Sequence, residues 1–371
     1  MQERVLITGG AGFIGSHLCD ELLAAGYQVR LYDSLAPQVH EAGGRPSYLS
    51  SEAELLHGDV RDAERLRRAL EDIDIVVHLA ASVGVGQSMY EIADYVAVND
   101  GGTANLLQLL AERPIRKLIV ASSMSIYGEG RYRTARGAIV DNAVRTPGEI
   151  RAGRWDPFDD NGDALVPVPT PEEKAPDLAS VYALTKFSQE RMCLLVGKAY
   201  GISTIALRFF NVYGTRQALS NPYTGVLAIF ASRLRNGNPP LLFEDGRQLR
   251  DFVHVQDIAR ACRAAIEAPT KADGVYNIGS GKSVSILELA DRLRRLLGRE
   301  DLRPHLLGRY RVGDVRHCFA DVTKARLALG FTPIVDLDLG MAELADWVSR
   351  EAPKDQIDFA TRELSRRGLV S

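Results

Sequence analysis

Cysteine is scarce in this chain. Cys19, Cys193, Cys262 and Cys318 are the only ones in 371 residues, and no two have metal-ligand spacing. That excludes a local zinc knuckle, and the expectation is four buried, reduced thiols with no metal. Long apolar runs are absent too. No window of ~18 apolar residues exists, so no membrane-spanning helix is predicted. The chain has no charged n-region followed by an apolar segment near its start, and a cytoplasmic protein is expected. An excess of one charge is also missing: Lys and Arg number 45 against 48 Asp and Glu, a net charge of −3. A basic footprint for nucleic acid or an anionic membrane is thereby excluded. No internal repeat or low-complexity tract is visible.

What remains is ordinary for a soluble enzyme, 46% hydrophobic and 25% charged, with a length that predicts about two domains. The first half alternates short apolar runs with helical periodicity. Val5–Ile7, Val29–Tyr32, Ile73–His78 and Leu118–Val120 read as strands; Phe13–Ala25 and Thr103–Ala111 read as helices. Such alternation predicts βαβ units and a parallel sheet, with ligands at the carboxyl ends of the strands. Residues 129–176 break the rhythm with Gly, Pro, six arginines and then a run of aspartates. They are expected as a surface insertion, either a lid or a solvated excursion. A helix over Ser180–Tyr200 and a strand over Thr204–Phe209 follow. Shorter helices come near Gln256–Ala268, Ile286–Leu297 and Leu337–Arg350, and residues 353–371 read as a charged tail with one loosely docked helix.

Thr8-Gly9-Gly10-Ala11-Gly12-Phe13-Ile14-Gly15 follows the first strand and opens a helix. Gly9 permits a tight turn, Gly12 a close backbone approach to a pyrophosphate, and Gly15 close packing of helix on strand. The helix start, including Phe13 and Ile14, then offers free N–H groups and the positive dipole end to phosphates. Asp33 ends the second strand, where a carboxylate accepts bonds from ribose hydroxyls and repels a 2′-phosphate, so NAD is expected rather than NADP. Tyr182-Ala183-Leu184-Thr185-Lys186 puts a phenol and an ammonium on one helical face. A phenol is a poor base near neutrality, and a nearby lysine charge is expected to lower its pKa. Ser122-Ser123-Met124-Ser125-Ile126-Tyr127-Gly128 ends another strand, where a hydroxyl can hold a reacting oxygen.

The glycine spacing, the Gly58-Asp59-Val60-Arg61-Asp62 turn, His78-Leu79-Ala80-Ala81 and Asn99-x-x-Gly102-Thr103-x-Asn105 together resemble the extended short-chain dehydrogenase/reductase family, in its NAD-dependent epimerase/dehydratase branch. The resemblance implies an α/β fold: a Rossmann-type doubly wound parallel sheet with a smaller C-terminal α/β substrate domain. The expected division is 1–210 and 248–275 for the NAD-binding domain, with 129–176 inserted, and 211–247 and 276–352 for the substrate domain. The resemblance implies Asp59 and Val60 at the adenine, and Leu79, Ala80, Ala81 and Asn99 beside the cofactor. It makes Ser123 the third member of a catalytic set with Tyr182 and Lys186, the latter two also touching the cofactor. On the substrate side it implies Asn211, Arg250 and Arg311 at a diphosphate, Asp314 near a ribose and Phe243 near a base. Ser88, with Gln87 and the Val83–Gly86 loop, is expected to line a sugar pocket. His254 is expected to pack structurally. Members resembled most are nucleotide-sugar 4-epimerases of the dTDP-L-rhamnose and UDP-glucose type, which implies a UDP- or dTDP-sugar substrate. A homodimer pairing Thr103–Ala111 with Ser180–Tyr200 is also implied.

The related dehydratases carry Asp and Glu after the serine, and the decarboxylases a Glu at the second position. Here Met124 and Ser125 stand there, and neither exchanges a proton usefully near neutral pH. A stereochemical inversion at C4 is therefore favoured over elimination. Dehydratase or decarboxylase, net dehydrogenase and non-catalytic binding protein remain the alternatives, and the sugar and base are open.

Overall fold

The computed structural model describes residues 3–40 and 44–370. Among them the central sheet has seven strands: β1 (Arg4–Thr8), β2 (Gln28–Asp33), β3 (Glu54–His57), β4 (Ile75–His78), β5 (Lys117–Ser123), β6 (Ser203–Phe209) and β7 (Gly274–Ile278). All pair in parallel, in the order β7-β6-β5-β4-β1-β2-β3. The order reverses beside β1, the switch point at which a doubly wound sheet opens a ligand crevice. Val5, Leu6 and Ile7 of β1 and Ile75, Val76 and Val77 of β4 are buried on both faces, as continuous apolar runs in a covered parallel sheet require. One face packs on α1 (Phe13–Ala24) and, later in the chain, α5 (Val255–Glu267). The other packs on α2 (Ala63–Ala69), α3 (Gly102–Glu112) and α4 (Val181–Tyr200). The expected α/β fold and its helices are thus observed, with ends shifted by a residue or two.

Three features differ from the sequence reading. First, β7 ends at Ile278 within the central sheet, and the strand Leu249–His254 pairs instead with Asn211–Tyr213, Ser283–Ser285 and His317–Cys318 in a second sheet. The chain therefore passes from the central to the second sheet at residue 210, and residue 275 lies inside β7. Second, the insertion is ordered. Arg131–Arg133, Ile139–Val140 and Val166–Val168 form an antiparallel sheet, with a short helix at Pro147–Arg151 that carries a Thr146/Glu149 capping box. Third, the tail is firmly docked. Its helix, Ile357–Arg366, is held by Arg233 to Asp358 at 3.0 Å and to Asp355 at 3.3 Å, and by an Asn238 donation to Asp355 at 2.7 Å.

All four cysteines are buried and unpaired. Among the described residues no helix is long and apolar enough to cross a membrane.

Candidate active site

A single cavity of about 810 Å³ runs from the glycine turn to the second sheet. At one end the chain leaves β1 and turns at Gly9, whose φ of +68° favours glycine; a Cβ there would stand 2.9 Å from the Ala80 nitrogen. A Cβ on Gly15 would lie 2.4 Å from the Gly9 carbonyl, so only glycine lets α1 pack this close. Gly12 is the N-cap of α1 and has no side chain to cap it. The first N–H groups of α1, at Phe13, Ile14 and Gly15, therefore point along the cavity wall without an internal partner. Those free donors and the dipole end fit a pyrophosphate. Asp33 lies on the same wall, its carboxylate held by the Ala11 N–H at 2.9 Å and the Leu35 N–H at 2.8 Å. Asp59, Val60, Leu79, Ala80 and Ala81 complete this end.

Asn99 is elsewhere. It is fully buried behind the wall, on a wide turn over Val96–Gly101 that rotates its amide inward. There it accepts from the Ser82 N–H at 2.8 Å and donates to the Ser82 carbonyl and to Thr185 at 3.1 and 3.0 Å. It positions the loop after β4 rather than touching a ligand. Ser88 also lies behind the wall. Its hydroxyl, fully buried, donates to the Val85 carbonyl and accepts from the Tyr182 N–H at 3.0 Å, so it steadies the first turn of α4.

Ser123 ends β5, and Tyr182 lies in the first turn of α4, which Ser180 caps by accepting the Ala183 N–H. Both face the cavity. Burial raises the Tyr182 phenol above its usual pKa, and the nearby Ser123 hydroxyl pulls it back. Ser125, read from sequence only as standing where an acid would, donates its hydroxyl to Ser123 at 2.9 Å. Lys186 lines the same cavity, and its ammonium donates to Gln189 at 2.7 Å. Burial lowers Lys186 itself to about 8. Gln189 in turn donates to Thr103 at 2.7 Å; the Thr103 hydroxyl also accepts from His78 Nε2 at 2.9 Å, while Thr8 donates to His78 Nδ1 at 2.7 Å. His78, buried beside that lysine, is lowered to about 3 and is neutral.

At the far end Asn211, Phe243, Arg250, Arg311 and Asp314 all line the cavity. Arg250 spends its terminal nitrogens on the carbonyls of Leu249, Arg316 and Val315 and on Asp314 at 3.4 Å. Arg311 is freer. One nitrogen meets Asp314 at 3.2 Å, its plane lies over Phe243 at 5.2 Å, and its Nε is buried without a partner. Burial alone would raise the Asp314 carboxyl, but Arg311, Arg250 and Arg145 hold it below the ordinary range. Asn211 Oδ1, Gln217 Oε1 and Gln248 Oε1 are also buried and unpartnered on this wall. Unmet polar groups inside a cavity mark where a polar ligand belongs. Gln217 and Gln248 carried no local pattern that could have marked them. His254 caps α5, accepting from the Gln256 N–H, and burial lowers it to about 4, in keeping with a packed role.

A helix start open to phosphate, sharing one cavity with a serine–tyrosine pair and an arginine-lined far end, is the layout of a Rossmann-fold dinucleotide enzyme. The chain belongs to the NAD dependent epimerase/dehydratase family, whose model matches residues 5–144 and 162–279. It is 35% identical over 354 residues to the dTDP-L-rhamnose 4-epimerase of Burkholderia thailandensis, covering 94% of this chain and 96% of that one. Among solved structures, the UDP-glucose 4-epimerase of Thermus thermophilus in complex with NAD superposes with a TM-score of 0.75 at 29% identity, over 94% of this chain and all of that one. The UDP-glucuronic acid 4-epimerase of Bacillus cereus, with UDP-glucuronic acid and NAD, gives 0.76 at 29%, over 94% and 99%.

Proposed function

We propose that this chain is an NAD-dependent nucleotide-diphosphosugar 4-epimerase acting on a UDP- or dTDP-sugar. The observation that carries the reading is the Ser123–Tyr182 hydroxyl pair facing the cavity that the glycine turn opens, with Met124 and Ser125 where an acid pair would drive elimination. Bound NAD supplies a hydride acceptor and donor at the sugar's C4, so the alcohol passes through a ketone and returns as either stereoisomer. Gly9, Gly12, Gly15 and the first turn of α1 would hold its pyrophosphate, Asp33 its ribose, and Asp59 and Val60 its adenine. Tyr182 takes the C4 hydroxyl proton and later returns it, and Ser123 holds the oxygen in line. Lys186, buried and hydrogen-bonded through Gln189, sets the charge near the cofactor. Arg311, with an unspent donor, and Asn211 hold the diphosphate, while Arg250 and Asp314 brace Arg311 in place. Phe243 offers a face to the base.

A homodimer is part of the same reading, supported by Leu184 and Leu195 of α4 and by Ile92 and Val96 before α3, all exposed at 43–60%. Buried, unpaired thiols support a reducing, cytoplasmic setting.

The test is incubation with UDP-, dTDP- and GDP-sugars without added cofactor, followed by product identification. A stereoisomer of equal mass is expected; loss of water or carbon dioxide sinks the proposal. Tyr182→Phe should cut turnover by at least about a hundredfold while bound NAD is retained, and an active variant would remove the tyrosine from its role.

A further inference from the structure

The C-terminal segment is not an appendage to this site but one of its walls. Ile357, Ala360, Thr361 and Leu364 line the same cavity as Tyr182 and Arg311. Leu364 packs on Gly86, where a Cβ would stand only 3.3 Å from its methyl carbon. Gly86 belongs to the loop whose Ser88 anchors the Tyr182 amide at 3.0 Å. Beyond the helix, the Val312 N–H donates to the Leu369 carbonyl at 3.0 Å, and Val370 bridges to Arg311 itself. Arg367 stacks over Tyr90 at 4.3 Å, and the Tyr90 hydroxyl meets that of Tyr223, a further wall residue. One short segment thus spans from the tyrosine end of the cavity to its diphosphate end.

The chemistry of this wall is distinctive. Three of its four facing side chains are aliphatic and the fourth is a small hydroxyl. Among the described residues the lysine and arginine side chains on the cavity wall are Arg61, Lys186, Arg250 and Arg311. Arg61 is paired to Asp59 and Asp94 at the adenine end, Lys186 to Gln189, and the last two serve the diphosphate end. No cation is left for a carboxylate on the sugar, and an unpaired charge in such a pocket is costly. Val83 and Val85, next to Gly86, line the cavity as well.

We infer that residues 357–370 are a specificity-determining wall, selecting a neutral sugar that presents an apolar edge and rejecting one that carries a carboxylate. This rests on the nucleotide-sugar reading and is tested by binding rather than turnover, so the two can fail separately. The probes are UDP-glucose, UDP-glucuronic acid and dTDP-L-rhamnose, with UDP and dTDP alone as references, titrated calorimetrically into the NAD-bound enzyme. The wild type should bind at least one neutral sugar nucleotide about tenfold tighter than the glucuronate. Thr361→Arg, at a partly exposed position, should narrow that ratio by about tenfold and leave the affinities for UDP and dTDP within a factor of about two. Leu364→Ala should weaken the neutral sugars selectively, its fold checked by retained NAD and melting temperature. Equal wild-type affinity for glucuronate and neutral sugars overturns the inference, as does a ratio that Thr361→Arg leaves unchanged. Epimerisation without discrimination by the tail sinks only this inference; discrimination without epimerisation sinks only the proposed reaction.

Discussion

At the scale of single residues, Lys186 is the site's most adjustable charge. Burial lowers it to about 8 against the opposing pull of Cys193, Glu190 and Asp100, and Gln189 accepts its hydrogen bond at 2.7 Å. Gln189→Leu removes the acceptor. The expected outcome is a lower lysine pKa and a fall in kcat of about tenfold at pH 7, with the alkaline side of the pH–rate profile moved to lower pH. Gln189→Glu should restore it, and an unmoved profile would reduce Gln189 to packing. Residues of this kind divide by how they could be read. Gly9, Gly15, Tyr182, Lys186 and Ser123 act through neighbours within a few positions, so their spacing exposes them. Gln189 looks like any polar helix residue until α4 is laid against α3 and β4. Asn99 and Ser88 show the opposite failure: they sit in recognisable motifs, but the fold turns their polar groups into the wall rather than the cavity.

At the scale of elements, the insertion is a brace. Arg145 is buried between Glu129 at 2.9 Å and Glu244 at 2.6 Å, and donates to the Asp314 carbonyl at 2.7 Å. Arg316 extends the network to Asp156, Glu244 and Asp245. The insertion thus steadies the segment that carries Arg311 and Asp314. Arg145→Met leaves Glu244 with Arg316 alone, at 2.9 Å, and should cost about 1–3 kcal/mol of stability. Substrate KM should rise by about tenfold or more with kcat held within a factor of about three. A KM that stays put would separate the insertion from the site. The sequence shows only six arginines followed by aspartates, which read equally well as solvated. The pairings that decide the matter join Arg145 to Glu244 and Asp156 to Arg316, across a sequence separation that no periodicity bridges. The helices, by contrast, matched expectation because their apolar faces repeat locally.

At the scale of the whole molecule, burial lowers five histidines, His17, His40, His78, His254 and His317, and so ties stability to pH. Burial holds His78 to about 3 and His254 to about 4, against an ordinary 6.5. The unfolded chain therefore binds protons that the folded chain refuses, and stability falls as pH drops from about 6.5 towards 3–4. Melting temperature followed from pH 8 to 4 should decline through that window, and His254→Gln should flatten the decline; an unchanged slope would place the acid sensitivity elsewhere. The fold class was legible at this scale because strand–helix alternation admits few topologies. The tail was not, because Leu364 meets Gly86, and Val370 meets Arg311, only after both sheets exist.

That last dependence sets an order of events during translation. The glycine turn and the sheet through β7 are complete once Ile278 is made, and domains fold as they emerge. Residues 357–370 are added well afterwards. A nascent chain can therefore build its cofactor cradle long before its sugar pocket has a far wall. For that interval it is a dinucleotide binder without a selective substrate site, and cleavage between Arg350 and Ile357 would return a mature molecule to the same condition.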